Sequence, residues 1–184
     1  MPHVPRAVPA TGVSHPDAAV PADGDVMPRP EIHIVLDRLR SAHNVGNIFR
    51  LADAVGAKEV ICCGYTAAPP HPKLVKTAMG ADRTVPFRSF PTAAEAVAEL
   101  KREGCSAVAV ETLENARDAW AFDYPEKIAL VFGNEALGIS PEALELCDAA
   151  VSLPMFGTKV SINVGNCVAV VLYMIVAKGD GMIK

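Results

Sequence analysis

From Glu31 onward, apolar residues fall into two alternating rhythms, and the alternation predicts the fold class. "IHIVL" (Ile32–Leu36) is a short β-rich run. In "NVGNIFRLADAVGA", which follows, Val45, Ile48, Leu51, Ala52 and Val55 recur at helical spacing, and Gly56 ends the pattern. Next come a strand, "EVICC" (Glu59–Cys63), a Pro-rich loop, "AAPPHPK", a short helix around Leu74–Met79 and a strand near Val85–Phe87. "TAAEAVAELKREG" is a marked helix, with Thr92 as cap, Glu95 three residues on and Gly104 as stop. Ser106–Glu111 and Ile128–Gly133 are near-continuous apolar strands, the pattern of a sheet covered on both faces. Pro141–Leu146 reads as a short helix, "AAVSLP" as a last strand and Ser161–Lys178 as a final helix. Strands alternating with helices predict one α/β domain over residues 31–184, a mostly parallel sheet flanked by helices. Ligands of such a domain bind beyond the carboxyl ends of the strands.

Residues 1–30 break this pattern. They hold 7 of the 15 prolines, with Ala, Asp and Gly and no hydrophobic period. A segment of that kind buries too little apolar surface to offset its ordering entropy, so it is expected to be a disordered Pro/Ala-rich tail. The rest has an ordinary globular composition, 51% hydrophobic and 21% charged. A net charge of −4 lacks the basic balance of a nucleic-acid binder, although a local basic face survives whole-chain averaging. Arg38, Arg40, Lys73, Lys76, Arg83, Arg88 and Lys159, all in or near expected loops, could form one. The five cysteines include no C-x-x-C pair and lie in or beside apolar runs, as reduced, buried thiols do. The longest apolar run, Cys167–Ala177, is short of the ~18 residues of a membrane span, and the N-terminus has no signal-peptide pattern. A cytoplasmic, disulfide-free protein is expected.

The candidate chemistry lies in polar segments at the expected strand ends: "DRLRSAHNVGN", "ETLEN", "GNEALGIS" and "PMFGTKVSINVGN". The first lacks the G-x-G-x-x-G of a dinucleotide fold. Gly133 to Gly138 have P-loop spacing and Ser140 falls at the Ser/Thr position, but Ile139 replaces the essential Lys. No G-x-S-x-G elbow occurs, and the scattered histidines give no metal pair. The apolar last helix begins Ser161-Ile162-Asn163-Val164-Gly165-Asn166, more polar groups than one cap requires.

Together, "NVGNIFRLADAVGA", "LVFGNEALGIS" and "LPMFGTKVSINVGNCVAVVLY" resemble, in order and spacing, the three motifs of the SpoU/TrmH branch of the SPOUT RNA methyltransferases. The resemblance runs from about Ile32 to Lys178. It implies a C-terminal trefoil knot, a homodimer without a metal, and methyl transfer from S-adenosylmethionine to a ribose 2′-hydroxyl of tRNA or rRNA. The compactness of the chain favours tRNA. By position, Leu153, Met155 and Ile162 would wall the adenine, Gly133 would admit the cofactor closely, and Asn134, Gly138, Thr112, Leu113 and Ser161 would share the pocket. Arg50 would hold the target phosphate and stabilise the developing oxyanion. Asn44 would orient it or the ribose, with helix capping as the plainer role; Glu135 would sit nearby. Ser161 and Asn163 would hydrogen-bond at the reacting centre, or else cap the last helix. Gly165 and Asn166 depart from the Ser or Ala usual there. The rival readings are a non-catalytic RNA- or nucleotide-binding module on this fold and a SPOUT base methyltransferase, against which the N-x-G-x-x-x-R spacing (Asn44, Gly46, Arg50) favours ribose.

Overall fold

The computed structural model describes residues 30–179. The expected tail, residues 1–30, lies outside them except for Pro30. Seven strands, β1 (Glu31–Asp37), β2 (Glu59–Cys63), β3 (Phe87–Phe90), β4 (Ser106–Val110), β5 (Arg117–Asp118), β6 (Lys127–Phe132) and β7 (Ala149–Ser152), form one sheet in the order β3-β2-β1-β6-β4-β7-β5. Every pairing between them is parallel. Six helices, α1 (Ala42–Val55), α2 (Pro72–Ala78), α3 (Ala81–Thr84), α4 (Ala93–Arg102), α5 (Pro141–Leu144) and α6 (Val164–Gly179), cover its two faces.

The alternation of side chains across the pleat divides the core. Ile32, Ile34 and Leu36 of β1, with Ile128, Leu130 and Phe132 of β6, pack under α1 and α6. Their neighbours Val35, Ala129 and Val131 face α4 and α5, where small Ala93 and Ala96 bring the helix close. With both faces covered, the strands read as continuous apolar runs. α1 and α2 pack closely because residue 46 is glycine: a Cβ there would lie 2.0 Å from Thr77 Oγ1 and 2.4 Å from the Leu74 carbonyl.

Four local expectations need correction. The cap of α1 is Ser41, whose hydroxyl accepts the Asn44 N–H, so Asn44 stands inside the first turn rather than at the cap. The expected Leu74–Met79 helix starts earlier, with Pro72 in its first turn, and stops where Met79 turns left-handed (φ 52); α3 follows separately. β3 begins at Phe87, not Val85, because the Val85 N–H still closes α3 and Pro86 offers the sheet only its carbonyl, to Val60. α6 starts at Val164, three residues late, because Asn163 caps it: its Oδ1 accepts the Gly165 N–H at 2.9 Å and its carbonyl accepts the Cys167 N–H. β5, two exposed residues without a hydrophobic pattern, had no sequence signal.

At the amino edge of the sheet, charges are paired. Buried His33 bonds Glu59 through Nδ1 (2.6 Å) and Glu31 through Nε2 (3.1 Å). Arg88 donates to both oxygens of Glu59 and both of Glu103, and Lys127 reaches Glu31. Arg88 is thus a structural cation, correcting the expectation that it contacts RNA. Burial opposes ionisation of Glu59, but hydrogen bonds from His33 and Arg88 outweigh it and lower its carboxyl from 4.5 to about 2. A depressed folded pKa stabilises the fold above the unfolded value, and that stability is lost as pH falls toward the folded one. The melting temperature is therefore expected to drop between about pH 5 and about pH 2. Glu59→Gln should melt lower at neutral pH and show a smaller slope in that window; an equal slope, by calorimetry, would remove Glu59 from the account.

Candidate active site

The carboxyl edge carries a cavity of about 490 Å³, at the ends of β4, β6 and β7. Its wall on the β6 side is a chain reversal. After Gly133, the main chain folds back so that Asn134 and Gly138 exchange both backbone hydrogen bonds (3.1 and 2.9 Å). Gly133 has no space for a side chain: a Cβ would lie 2.3 Å from Gly138 C and from Ile139 N. Gly138 itself is left-handed (φ 70), and a Cβ there would meet Glu111 Oε2 at 2.8 Å.

Buried Asn134 organises the reversal from inside. Its Oδ1 accepts the N–H groups of Ala136 and Leu137, and its Nδ2 donates to the Arg38 carbonyl (2.6 Å) and the Tyr65 hydroxyl (2.8 Å). Two strand-end carboxylates hold the far side. Asp37, buried at the end of β1, accepts the Ser140 N–H (2.7 Å) while Arg38 pairs with it. Glu111, just past β4, accepts the Ile139 N–H through Oε2 (3.2 Å) and the Thr112 N–H through Oε1 (3.0 Å). Arg38 is therefore partly committed to the fold as well.

A polar chain ties this reversal to the starts of α1 and α6. Glu135 Oε2 accepts the Arg40 N–H (3.2 Å), its Oε1 accepts from Asn44 Nδ2 (3.1 Å), and Asn163 Nδ2 donates to Asn44 Oδ1 (3.4 Å). Burial opposes ionisation of Glu135, but these hydrogen bonds and its own backbone N–H hold its carboxyl below the usual range. Gly165 fits the approach of α6 to α1, since a Cβ would lie 3.2 Å from both Asn163 Oδ1 and Asn47 Nδ2.

Of the residues selected from sequence, Thr112, Gly133, Asn134, Glu135, Gly138, Leu153, Met155, Ser161, Ile162 and Asn163 all line the cavity. Asn44 touches two of them from behind. Leu113 is not in the wall; its carbonyl closes a turn with the Ala116 N–H. Arg50 is also outside the wall, exposed on α1 opposite the buried stripe, without a side-chain ion pair among the described residues. Ser161 lines the cavity without capping α6, which Asn163 does. Sequence reasoning missed Glu111, Asp37 and Cys167. An acid at the end of an apolar strand was the available signal for the first two. Cys167, within the apolar pattern of α6, gave none; burial pushes its thiol up to about 11, with Glu111 adding to the shift, so it serves as neutral wall. Arg40, Lys73, Lys76, Arg83 and Lys159 remain exposed. Among the described residues no cluster of His, Cys, Asp or Glu could hold a metal, and no helix is long and apolar enough to cross a membrane.

Residues 31–173 match the SpoU rRNA Methylase family. The chain is 35% identical over 145 residues to the tRNA (guanosine(18)-2′-O)-methyltransferase of Thermus thermophilus, covering 79% of this chain and 74% of that enzyme. It is 35% identical over 161 residues to the 23S rRNA (uridine(2479)-2′-O)-methyltransferase of Streptomyces viridochromogenes, of which it spans only 56%. The structure of the SpoU methyltransferase AviRb from Streptomyces viridochromogenes in complex with AdoMet superposes with a TM-score of 0.75 at 30% identity, over 85% of this chain and 61% of that one.

The close approach at Gly133 yields a direct test. Gly133→Ala should lower the melting temperature and speed amide exchange over residues 134–139, since main-chain atoms must move to admit the methyl. Unchanged exchange there would show that the reversal tolerates a side chain.

Proposed function

The chain belongs to the SpoU rRNA methylase family, and on that premise we propose that it methylates a ribose 2′-hydroxyl of tRNA or rRNA with S-adenosylmethionine as donor, tRNA being the first substrate to test. The observation that carries the reading is the convergence of three of the four polar segments, at Glu111–Thr112, Gly133–Gly138 and Met155–Asn163, on one cavity at the carboxyl edge of the sheet, with Asn44 of the fourth bonded to Glu135 and Asn163 in its wall. The cavity fits the donor in kind: it joins apolar Leu153, Met155 and Ile162 to polar Thr112, Ser161 and Asn163. When bound, the donor supplies a methyl group activated by the sulfonium centre.

The chain's own residues bind and position. Leu153, Met155 and Ile162 wall the adenine. Ser161 and Asn163 hydrogen-bond near the reacting centre, and Asn163 does so while capping α6. Asn44 and Glu135 fix the entrance between α1 and the reversal. Arg50 grips the target phosphate and stabilises the developing 2′-oxyanion; a guanidinium stays protonated, so it acts by charge and fork geometry rather than as a base. In-line positioning of donor and hydroxyl supplies much of the acceleration. Arg40, Lys73, Lys76, Arg83 and Lys159 contribute phosphate contacts despite the net charge of −4.

The reading includes a C-terminal trefoil knot, a rare exception among folds. In its support, β7 sits between β4 and β5, two strands joined by an earlier stretch of chain, and α6 then returns to pack on α1. It also includes a homodimer, supported by the exposed apolar Val170 and Tyr173 on the outer face of α6, and a cytoplasmic location, to be tested by cell fractionation. A crystal structure with the donor bound tests the knot and the dimer together.

The decisive experiment is calorimetric binding of S-adenosylmethionine, followed by mass mapping of methylated nucleosides in RNA from a deletion strain. Loss of one 2′-O-methyl nucleoside is expected; loss of a base methylation, or no loss, overturns the reading. For Arg50→Lys we expect a fall in kcat/KM of about tenfold or more with donor affinity unchanged. Near-normal turnover would sink the role of the fork.

A further inference from the structure

Among the described residues no Lys, Arg or His lines the cavity, whereas two carboxylates do, Glu111 and Glu135. The two are not equivalent. Glu135 has both oxygens engaged across the entrance, by the Arg40 N–H and the Asn44 amide. Glu111 is half-buried at the floor, where the end of β4 meets the reversal, and receives one main-chain N–H on each oxygen. Those two donors fix the direction of the carboxylate without neutralising it, and no described cation lies within ion-pair distance. The absent side chain of Gly138 leaves the space that Glu111 Oε2 occupies. An oriented, uncompensated negative charge in a partly desolvated cavity favours a positive ligand over a neutral one of the same shape.

We propose that Glu111 is a selectivity residue, making the cavity prefer the cationic methyl donor to its neutral demethylated product. The inference rests on the donor reading given above. S-adenosylmethionine carries a sulfonium and an ammonium against one carboxylate, a net positive charge, whereas S-adenosylhomocysteine keeps the same adenosine and amino-acid parts with a neutral thioether. Shape and hydrogen-bonding groups are shared, so the charge is what the wall can discriminate. Loss of that charge on transfer weakens the hold of Glu111, which favours release of the spent ligand and exchange for fresh donor.

The test is the ratio of the two dissociation constants, by calorimetry, for the full chain and for Glu111→Gln. The wild type should prefer S-adenosylmethionine, and Glu111→Gln should lower that preference about tenfold, chiefly through weaker donor binding. Raising salt should narrow the wild-type ratio and leave that of the variant nearly unchanged. Glu111→Asp, which keeps the charge, should retain most of the preference. A ratio unaltered in Glu111→Gln overturns the proposal, as does an equal loss for both ligands, which would place Glu111 on a part they share, such as the ribose diol. A wild type that binds neither ligand would instead overturn the donor reading itself.

Discussion

The structure of the site depends on one steric constraint, the reversal of the chain at the end of β6 onto a residue with no side chain. Gly133 lies so close to Gly138 and Ile139 that a single methyl group would separate them. Once the reversal closes, its outward N–H groups must find acceptors, because buried amides left unpaired are costly. They find the Asn134 amide, Asp37 at the end of β1 and Glu111 past β4. Three neighbouring strand ends are thus tied to one turn, and the cavity is the space left beside it. Its entrance is held by the line from Glu135 through Asn44 to Asn163. A rigid wall of this kind suits chemistry that depends on placing two reactants in line.

The two edges of the sheet use charge in opposite ways. At the amino edge, Arg88 and Lys127 compensate Glu59, Glu103 and Glu31, with His33 hydrogen-bonded between Glu59 and Glu31, a device of stability. At the carboxyl edge, Glu111 and Glu135 are held by neutral N–H groups and an amide, which orient a charge and leave it available to a ligand. The same division sorts the basic residues. Arg88 and, in part, Arg38 are committed to carboxylates of the fold, so any RNA-binding face must come from the exposed remainder.

The sequence by itself determined the order and type of most elements, because helical and strand periodicities are written in neighbouring residues. The alternation predicted the parallel α/β sheet, Thr92 and Glu95 marked the start of α4, and the polar loops fell at the carboxyl ends, where ten of the selected site residues share one cavity. What it could not decide were matters settled between distant residues. That Ser41 rather than Asn44 caps α1 leaves the Asn44 side chain to meet Glu135, 91 positions away. The late start of α6 follows from Asn163, whose amide faces both its own helix and Asn44, 119 positions back. Arg88 lost its expected freedom only because parallel pairing set β3 beside β2. Glu111 gained its meaning only when the reversal after β6 came to rest against it. Local pattern encodes which residues turn inward; the partner that each polar group meets there is fixed by topology, which brings charges and donors together across sequence separations that no local window contains.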